Sequence, residues 1–166
     1  MPKKIDPLNK NNYSAVTAML TVADVKAAVS FYQKAFGFTN LGVMKGPDGK
    51  PMHADLTLRG TRLMLGPENL NRGVRSAKTL GGSAATLYLT VEDADKTVAK
   101  AVKLGATIVS PVMDMFWGDR TGTIADADGH HWMIATHVAE PTPQEMNKKM
   151  KEMMRGQAAA AGSSAG

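Results

Sequence analysis

No cysteine occurs in the 166 residues. This excludes disulfides, thiolate nucleophiles and zinc sites built on cysteine. Aromatic residues make up 5% of the chain, too few for the basic and aromatic stripe on which nucleic-acid bases stack. The net charge of +5 is dispersed, and its one dense run (Lys148, Lys149, Lys151, Arg155) falls in an expected C-terminal helix, where it reads as a solvated face. No nucleic-acid partner is expected. No apolar run approaches the ~20 residues of a membrane span, and the N-terminal Met-Pro-Lys-Lys-Ile-Asp-Pro has no apolar core behind its lysines. The expectation is a cytoplasmic protein without a membrane partner. Glycine-rich phosphate loops, P-loops and nucleophile elbows are also missing from the sequence.

What the chain does contain is a repeat. Ser14-Ala15-Val16-Thr17-Ala18-Met19-Leu20-Thr21-Val22-Ala23-Asp24 returns 69 positions later as Ser83-Ala84-Ala85-Thr86-Leu87-Tyr88-Leu89-Thr90-Val91-Glu92-Asp93, with seven of the eleven residues identical. At the same lag Leu63-Met64-Leu65 meets Trp132-Met133-Ile134. Two copies are too few for a solenoid. They suit one domain built as a pseudo-two-fold, with any site between the halves lined by equivalent positions.

Each copy has the same pattern of elements. Residues 14–22 alternate as a strand. Asp24 caps a helix carrying Val25, Ala28, Val29, Tyr32 and Phe36, which Gly37 ends. Strands are predicted at 38–44, 52–58 and 62–65, with a hairpin turn at Gly46-Pro47-Asp48-Gly49. Residues 66–82 read as a polar connector. The second copy predicts a strand at 84–91, a helix at 93–104, and strands at 106–113, 119–125 and 131–136, the last two joined by a turn at Asp128-Gly129. The fold class is α+β: two βαβββ units (13–66 and 83–138), a cup-shaped mixed sheet, and a C-terminal helix over 139–156. Residues 1–12 are expected to form a flexible leader and 157–166 a disordered tail.

The Asp-capped helix with Ser30-Phe31-Tyr32, the Phe36-Gly37-Phe38 that follows, and the closing Asp126-Ala127-Asp128-Gly129-His130 resemble the vicinal oxygen chelate superfamily. That superfamily holds glyoxalase I, extradiol dioxygenases, fosfomycin-modifying enzymes and bleomycin-binding resistance proteins. Trp117-Gly118-Asp119-Arg120-Thr121-Gly122, Gly129-His130-His131-Trp132 and Ala135-Thr136-His137, with the C-terminal helix, resemble its PhnB-like branch. The resemblance implies a homodimer and a metal held between cups by His, Gln or Glu from the first and last strand of each unit. Carried over by position, these ligands fall on Thr17, Met64, Thr86 and Met133. Two hydroxyls and two thioethers offer no anionic charge to a divalent ion. The metal site is therefore read as lost, the expected cofactor as none, and the methionines as a flexible apolar lining. The implied function is metal-independent binding of a small, partly planar molecule, with the four positions joined by Trp117 for stacking and by Arg120 and Arg62 for an anion.

The rival is an enzyme: a glyoxalase-like lyase or isomerase, or a dioxygenase, with a divalent metal at a shifted site. It would use His53, Asp55 and one of the C-terminal-strand histidines; His53 and Asp55 share one strand face and could act as a base with an acid neighbour or as improvised ligands. His131 and His137 share Met133's face by alternation, while His130 sits in the turn. Met146, Met150, Met153 and Met154 lie on one helical face, read as core or dimer packing.

Overall fold

The computed structural model describes residues 15–163, and side chains over 15–156. The expected leader 1–12 and the end of the expected tail lie outside the described residues. The first unit runs β1 (Ala18–Val22), α1 (Val25–Phe36), β2 (Thr39–Lys45), β3 (Pro51–Leu58) and β4 (Thr61–Pro67). A connector carries a 3₁₀ turn at Leu70–Arg72 and a short helix α2 (Ala77–Leu80). The second unit runs β5 (Thr86–Thr90), α3 (Ala94–Lys103), β6 (Thr107–Asp114), β7 (Asp119–Ala125) and β8 (His131–His137). Each unit forms one mixed four-stranded sheet, in the orders β1-β4-β3-β2 and β5-β8-β7-β6. In each, the first strand pairs in parallel with the last and the rest are antiparallel.

Local chemistry sets the boundaries. The Asp24 side chain accepts a hydrogen bond of 3.0 Å from the Ala27 amide, and Gly37 closes α1 at φ 80°. Asp93 caps α3 in the same way through the Lys96 amide, at 2.9 Å. α1 buries Val25, Ala28, Val29, Tyr32, Ala35 and Phe36, a stripe at helical spacing. α1 lies across β2, β3 and β4, α3 lies across β6, β7 and β8, and the two helices touch. The helix-facing side chains of both sheets and both helices therefore merge into one core, in which Leu56, Leu65, Ile124 and Ile134 are inaccessible to solvent. Each such side chain contributes about 2 kcal/mol of transfer free energy.

The aromatic centre of that core crosses between the units. Trp132 of β8 packs against Tyr32, Phe36 and Phe38 of the first unit, with its ring 4.9 Å from Phe36. The turn after β7 reinforces the join. Asp126 accepts from the Tyr32 hydroxyl at 2.6 Å, the Trp132 indole at 3.0 Å, and the backbone amides of Asp128 and His130. Asp128 accepts from the Ala23 amide at 2.7 Å, and the His130 ring meets the Thr21 carbonyl at 2.8 Å. Asp126 and Asp128 thus fasten one unit to the other. Burial first, then the Asp126 charge, pushes the Tyr32 phenol far above its usual pKa.

Two boundaries differ from expectation. The connector is not all loop: Ser76 caps α2, and Gly81 ends it at φ 83°. The C-terminal helix α4 (Pro143–Ser163) passes the expected end near residue 155 and carries the backbone of 157–163, read as tail, in helical form. Four consecutive alanines at 158–161, the strongest helix formers, account for the extension. α4 opens with reciprocal bonds between Thr142 and Glu145, at 2.8 and 3.3 Å. Among the described residues it makes no extended contact with either sheet.

Candidate functional site

Strand alternation sends half the side chains of each sheet away from the helices, onto an open face. On β4, Leu63 and Leu65 enter the core while Arg62 and Met64 take the open face. On β3, Ala54 and Leu56 enter the core while His53, Asp55 and Thr57 take the open face. The register sets Met64 between Met19 of β1 and Asp55 of β3, and Arg62 opposite Thr57. Thr17 precedes β1 by one residue and shares the parity of Met19.

The second sheet repeats the plan. Met133 lies between Tyr88 of β5 and Thr123 of β7, and His131 between Thr86 and Ala125. Thr86 is the exposed first residue of β5. Met19 with Met64 and Tyr88 with Met133 are the same pair at the lag of the sequence repeat.

The polar groups on the two faces differ. On the first, His53 Nε2 lies 3.4 Å from Asp55 Oδ2, and Arg62 Nη1 lies 3.7 Å from Asp55 Oδ1. That Oδ1 is buried without a hydrogen-bond partner. On the second, Asp119 accepts from Tyr88, from the Trp117 indole at 3.1 Å, and meets His137 Nδ1 at 2.7 Å. His137 Nε2 in turn meets Glu140 at 2.9 Å. Hydrogen bonds to Asp119 and then Glu140 raise the His137 pKa. The Tyr88 hydrogen bond leads those that lower Asp119, and burial, then Asp119, raises Tyr88.

This network centres on a residue outside the expected set. Within Trp117-Gly118-Asp119-Arg120, Arg120 was the expected anion ligand, and that expectation needs correction. Asp119 takes the open face, so alternation turns Arg120 to the helix side. There it forms a two-pronged pair with Asp95 of α3 (2.7 and 2.9 Å) and a bond of 3.0 Å to Asp114. With both carboxylates in place, the guanidinium is already paired to α3 and to the end of β6. Trp117 lies in the turn before β7, edge-on to Phe116, with its indole spent on Asp119. The alternation of 119, 121 and 123 with His137 opposite Asp119 was the signal available in the sequence.

A model of the glyoxalase/bleomycin resistance protein/dioxygenase superfamily matches residues 14–134. The chain belongs to that superfamily. It is 38% identical over 148 residues to the uncharacterized protein Rv0887c of Mycobacterium tuberculosis, covering 87% of each. Among solved structures it resembles a gene product of Arabidopsis thaliana at 31% identity and a TM-score of 0.62, over 74% of this chain and 98% of that one. It also resembles TioX from Micromonospora sp. ML1 at 29% identity and a TM-score of 0.59, over 76% of this chain and all of that one.

The metal of the superfamily's chelating members does not fit these residues. The four positions that would hold it carry Thr17, Met64, Thr86 and Met133, none with an imidazole or carboxylate. At the shifted pair, the group beside His53 and Asp55 is the Arg62 cation, where a third donor would be needed. Among the described residues, no three His, Asp or Glu side chains are grouped as metal ligands. No helix among them is long and apolar enough to cross a membrane.

Proposed function

We propose that this protein binds a small, partly planar organic molecule without a metal, in the manner of a bleomycin-resistance-like or PhnB-like sequestering protein. The observation that carries the reading is the pairing of Met19 with Met64 on one open face and of Tyr88 with Met133 on the other. Met64 and Met133 stand at two of the positions where the family resemblance would place metal ligands, and Met19 and Tyr88 lie two residues beyond the other two, Thr17 and Thr86. Thioethers are flexible and polarizable and mould around a ligand. A few polar groups beside apolar walls fit the usual make-up of a small-molecule site. Here His53 and Arg62 supply them on one face, and Tyr88 and His137 on the other.

A second copy of the chain belongs to the proposal. Met19, Met44 and Tyr88 are 61%, 62% and 51% exposed on the single chain. Val16, Val43 and Met113 are exposed too, apolar side chains that a second copy would cover. Among the described residues, the methionine face of α4 is also without an extended partner. A cytoplasmic location is part of the same proposal.

The test is metal analysis of protein purified without chelators or a histidine tag, followed by metal add-back calorimetry. A thermal-shift screen of planar antibiotics and aromatic metabolites then compares the protein with Met64→Ala and Met133→Ala. Metal near zero, with ligand-induced shifts lost in the methionine variants, supports the reading. Stoichiometric Ni²⁺, Mn²⁺, Fe²⁺ or Zn²⁺ that is lost in His53→Ala overturns it, in favour of a glyoxalase-like lyase or isomerase or a dioxygenase with a metal near His53 and Asp55.

A further inference from the structure

A cavity of about 510 Å³ opens at the seam between the two units; it shares Arg62 and Tyr88 with the open faces, but Met19, Met64 and Met133 do not line it. Its walls are the edge of the core itself: Leu63 from the first unit, and Leu89 and Trp132 from the second, with the partly buried Leu87 beside them. Among the described residues, Arg59 and Arg62 are its only charged lining residues. Two cations and no anion therefore face an apolar chamber of the size that holds a small ligand.

Arg59 is held there against local preference. It is the first residue of the two-residue turn between β3 and β4, at φ 48°, followed by Gly60 at φ 83°. Such a turn calls for Asn, Asp or Gly at its first position, because a side chain with a longer stem is disfavoured in the left-handed region. Arg59 is the only residue other than glycine with positive φ among the described residues. Its guanidinium reaches across the seam to donate to the Thr90 carbonyl at the end of β5. Among the described residues it has no carboxylate partner, which leaves most of its donors open. Arg62 has only the loose contact of 3.7 Å with Asp55.

We infer that the seam cavity is a binding site for a small carboxylate with a flat apolar body, whose carboxylate is held by Arg59 with support from Arg62. A planar guanidinium fork matches a carboxylate with two parallel hydrogen bonds, and the apolar walls take the body. The strained turn residue is retained because Asn, which the turn would favour, could not supply that fork.

The test is calorimetric titration with 2-naphthoate and with uncharged 2-naphthalenemethanol, on the wild type and on Arg59→Asn and Met64→Ala. Arg59→Asn suits the turn, so its fold, checked by thermal unfolding, is expected to persist. Naphthoate is expected to bind once per chain, with Arg59→Asn weakening it about tenfold or more, as for loss of a charged hydrogen bond. The alcohol should bind weakly and equally to both proteins, and Met64→Ala should leave naphthoate unaffected. No binding of naphthoate, or binding that Arg59→Asn does not change, overturns the inference. Binding lost in Met64→Ala but kept in Arg59→Asn also overturns it, by moving the ligand to the open face. Failure here leaves the methionine-lined sites untouched, because their test reads metal content and the loss of ligand-induced shifts in Met64→Ala and Met133→Ala, whereas this one turns on Arg59→Asn.

Discussion

Tyr88 of β5 donates its phenolic hydrogen to Asp119 of β7, spanning the intervening strand β8 on the open face of the second sheet. The equivalent of Tyr88 in the first unit is Met19, which has no hydroxyl to give. The repeat is therefore symmetric in backbone and asymmetric in chemistry. The first open face pairs two methionines beside a loose His53, Asp55 and Arg62 cluster. The second fixes an aromatic ring through a carboxylate that also holds His137 and Trp117.

That network has a pH window. His137 titrates above its ordinary value of about 6.5, because Asp119 and then Glu140 hold its charged form. Its contribution to stability is full below the unfolded value and is lost as pH rises through the folded one. Asp119 titrates below the ordinary carboxylate range, through Tyr88 before His137. Its contribution is present above that range and fades as pH falls through the lowered value. The network is thus tightest in mildly acidic solution. An NMR titration of the His137 ring should give a pKa that falls in Asp119→Asn, and an unchanged value in that variant would sink the argument.

Tyr32→Phe removes one donor from Asp126, a buried carboxylate that otherwise has the Trp132 indole and two amides. Loss of a hydrogen bond to a buried charge costs about 2 kcal/mol. Tyr88→Phe, at a half-exposed position where water can replace the phenol, should cost far less. Urea unfolding of the two variants side by side measures the contrast, and equal losses would contradict it.

The fold was legible because the repeat and the periodicity agree. A capped helix after an alternating strand, found twice at one lag, fixes two βαβββ units before any contact is known. The open faces follow from alternation alone, which places His53, Asp55, Arg62 and Met64 together. Arg120 was misplaced because reading a sequence for charge favours an arginine as a ligand, and only the neighbouring α3 shows that Asp95 has claimed it. The join through Asp126 depends on the packing of one unit on the other. No local pattern records that Tyr32 and Trp132 share one carboxylate.

The pair between Arg120 and Asp95 is at the surface, with both side chains in contact with water. Exposed ion pairs contribute little and are screened by salt. A double-mutant cycle of Arg120→Met and Asp95→Asn should show a small coupling at low salt that fades in concentrated sodium chloride. Persistent coupling at high salt would instead assign the pair a role in fixing the position of α3.

Gly118 is where the chain leaving β8 crosses the turn before β7. The Val138 and Ala139 amides donate to its carbonyl at 2.9 and 3.0 Å. Its φ is 100°, and a Cβ there would lie 2.1 Å from the Ala139 carbonyl oxygen and 2.7 Å from the Pro141 ring. Backbone cannot move aside as a flexible side chain can, so Gly118→Ala should destabilise the protein by roughly 3 kcal/mol or more. Gly49 separates the clash from the conformational strain: its φ is 75° and nothing lies within 4 Å of the position a Cβ would take. Gly49→Ala should cost only the strain, about 1 kcal/mol. The crossing also directs the chain toward α4, and it sits next to Asp119. Gly118→Ala should therefore lower the His137 pKa as well as the unfolding midpoint, whereas Gly49→Ala should leave His137 where it is. Equal stability losses, or a His137 titration indifferent to Gly118→Ala, would show that the crossing does not brace the network.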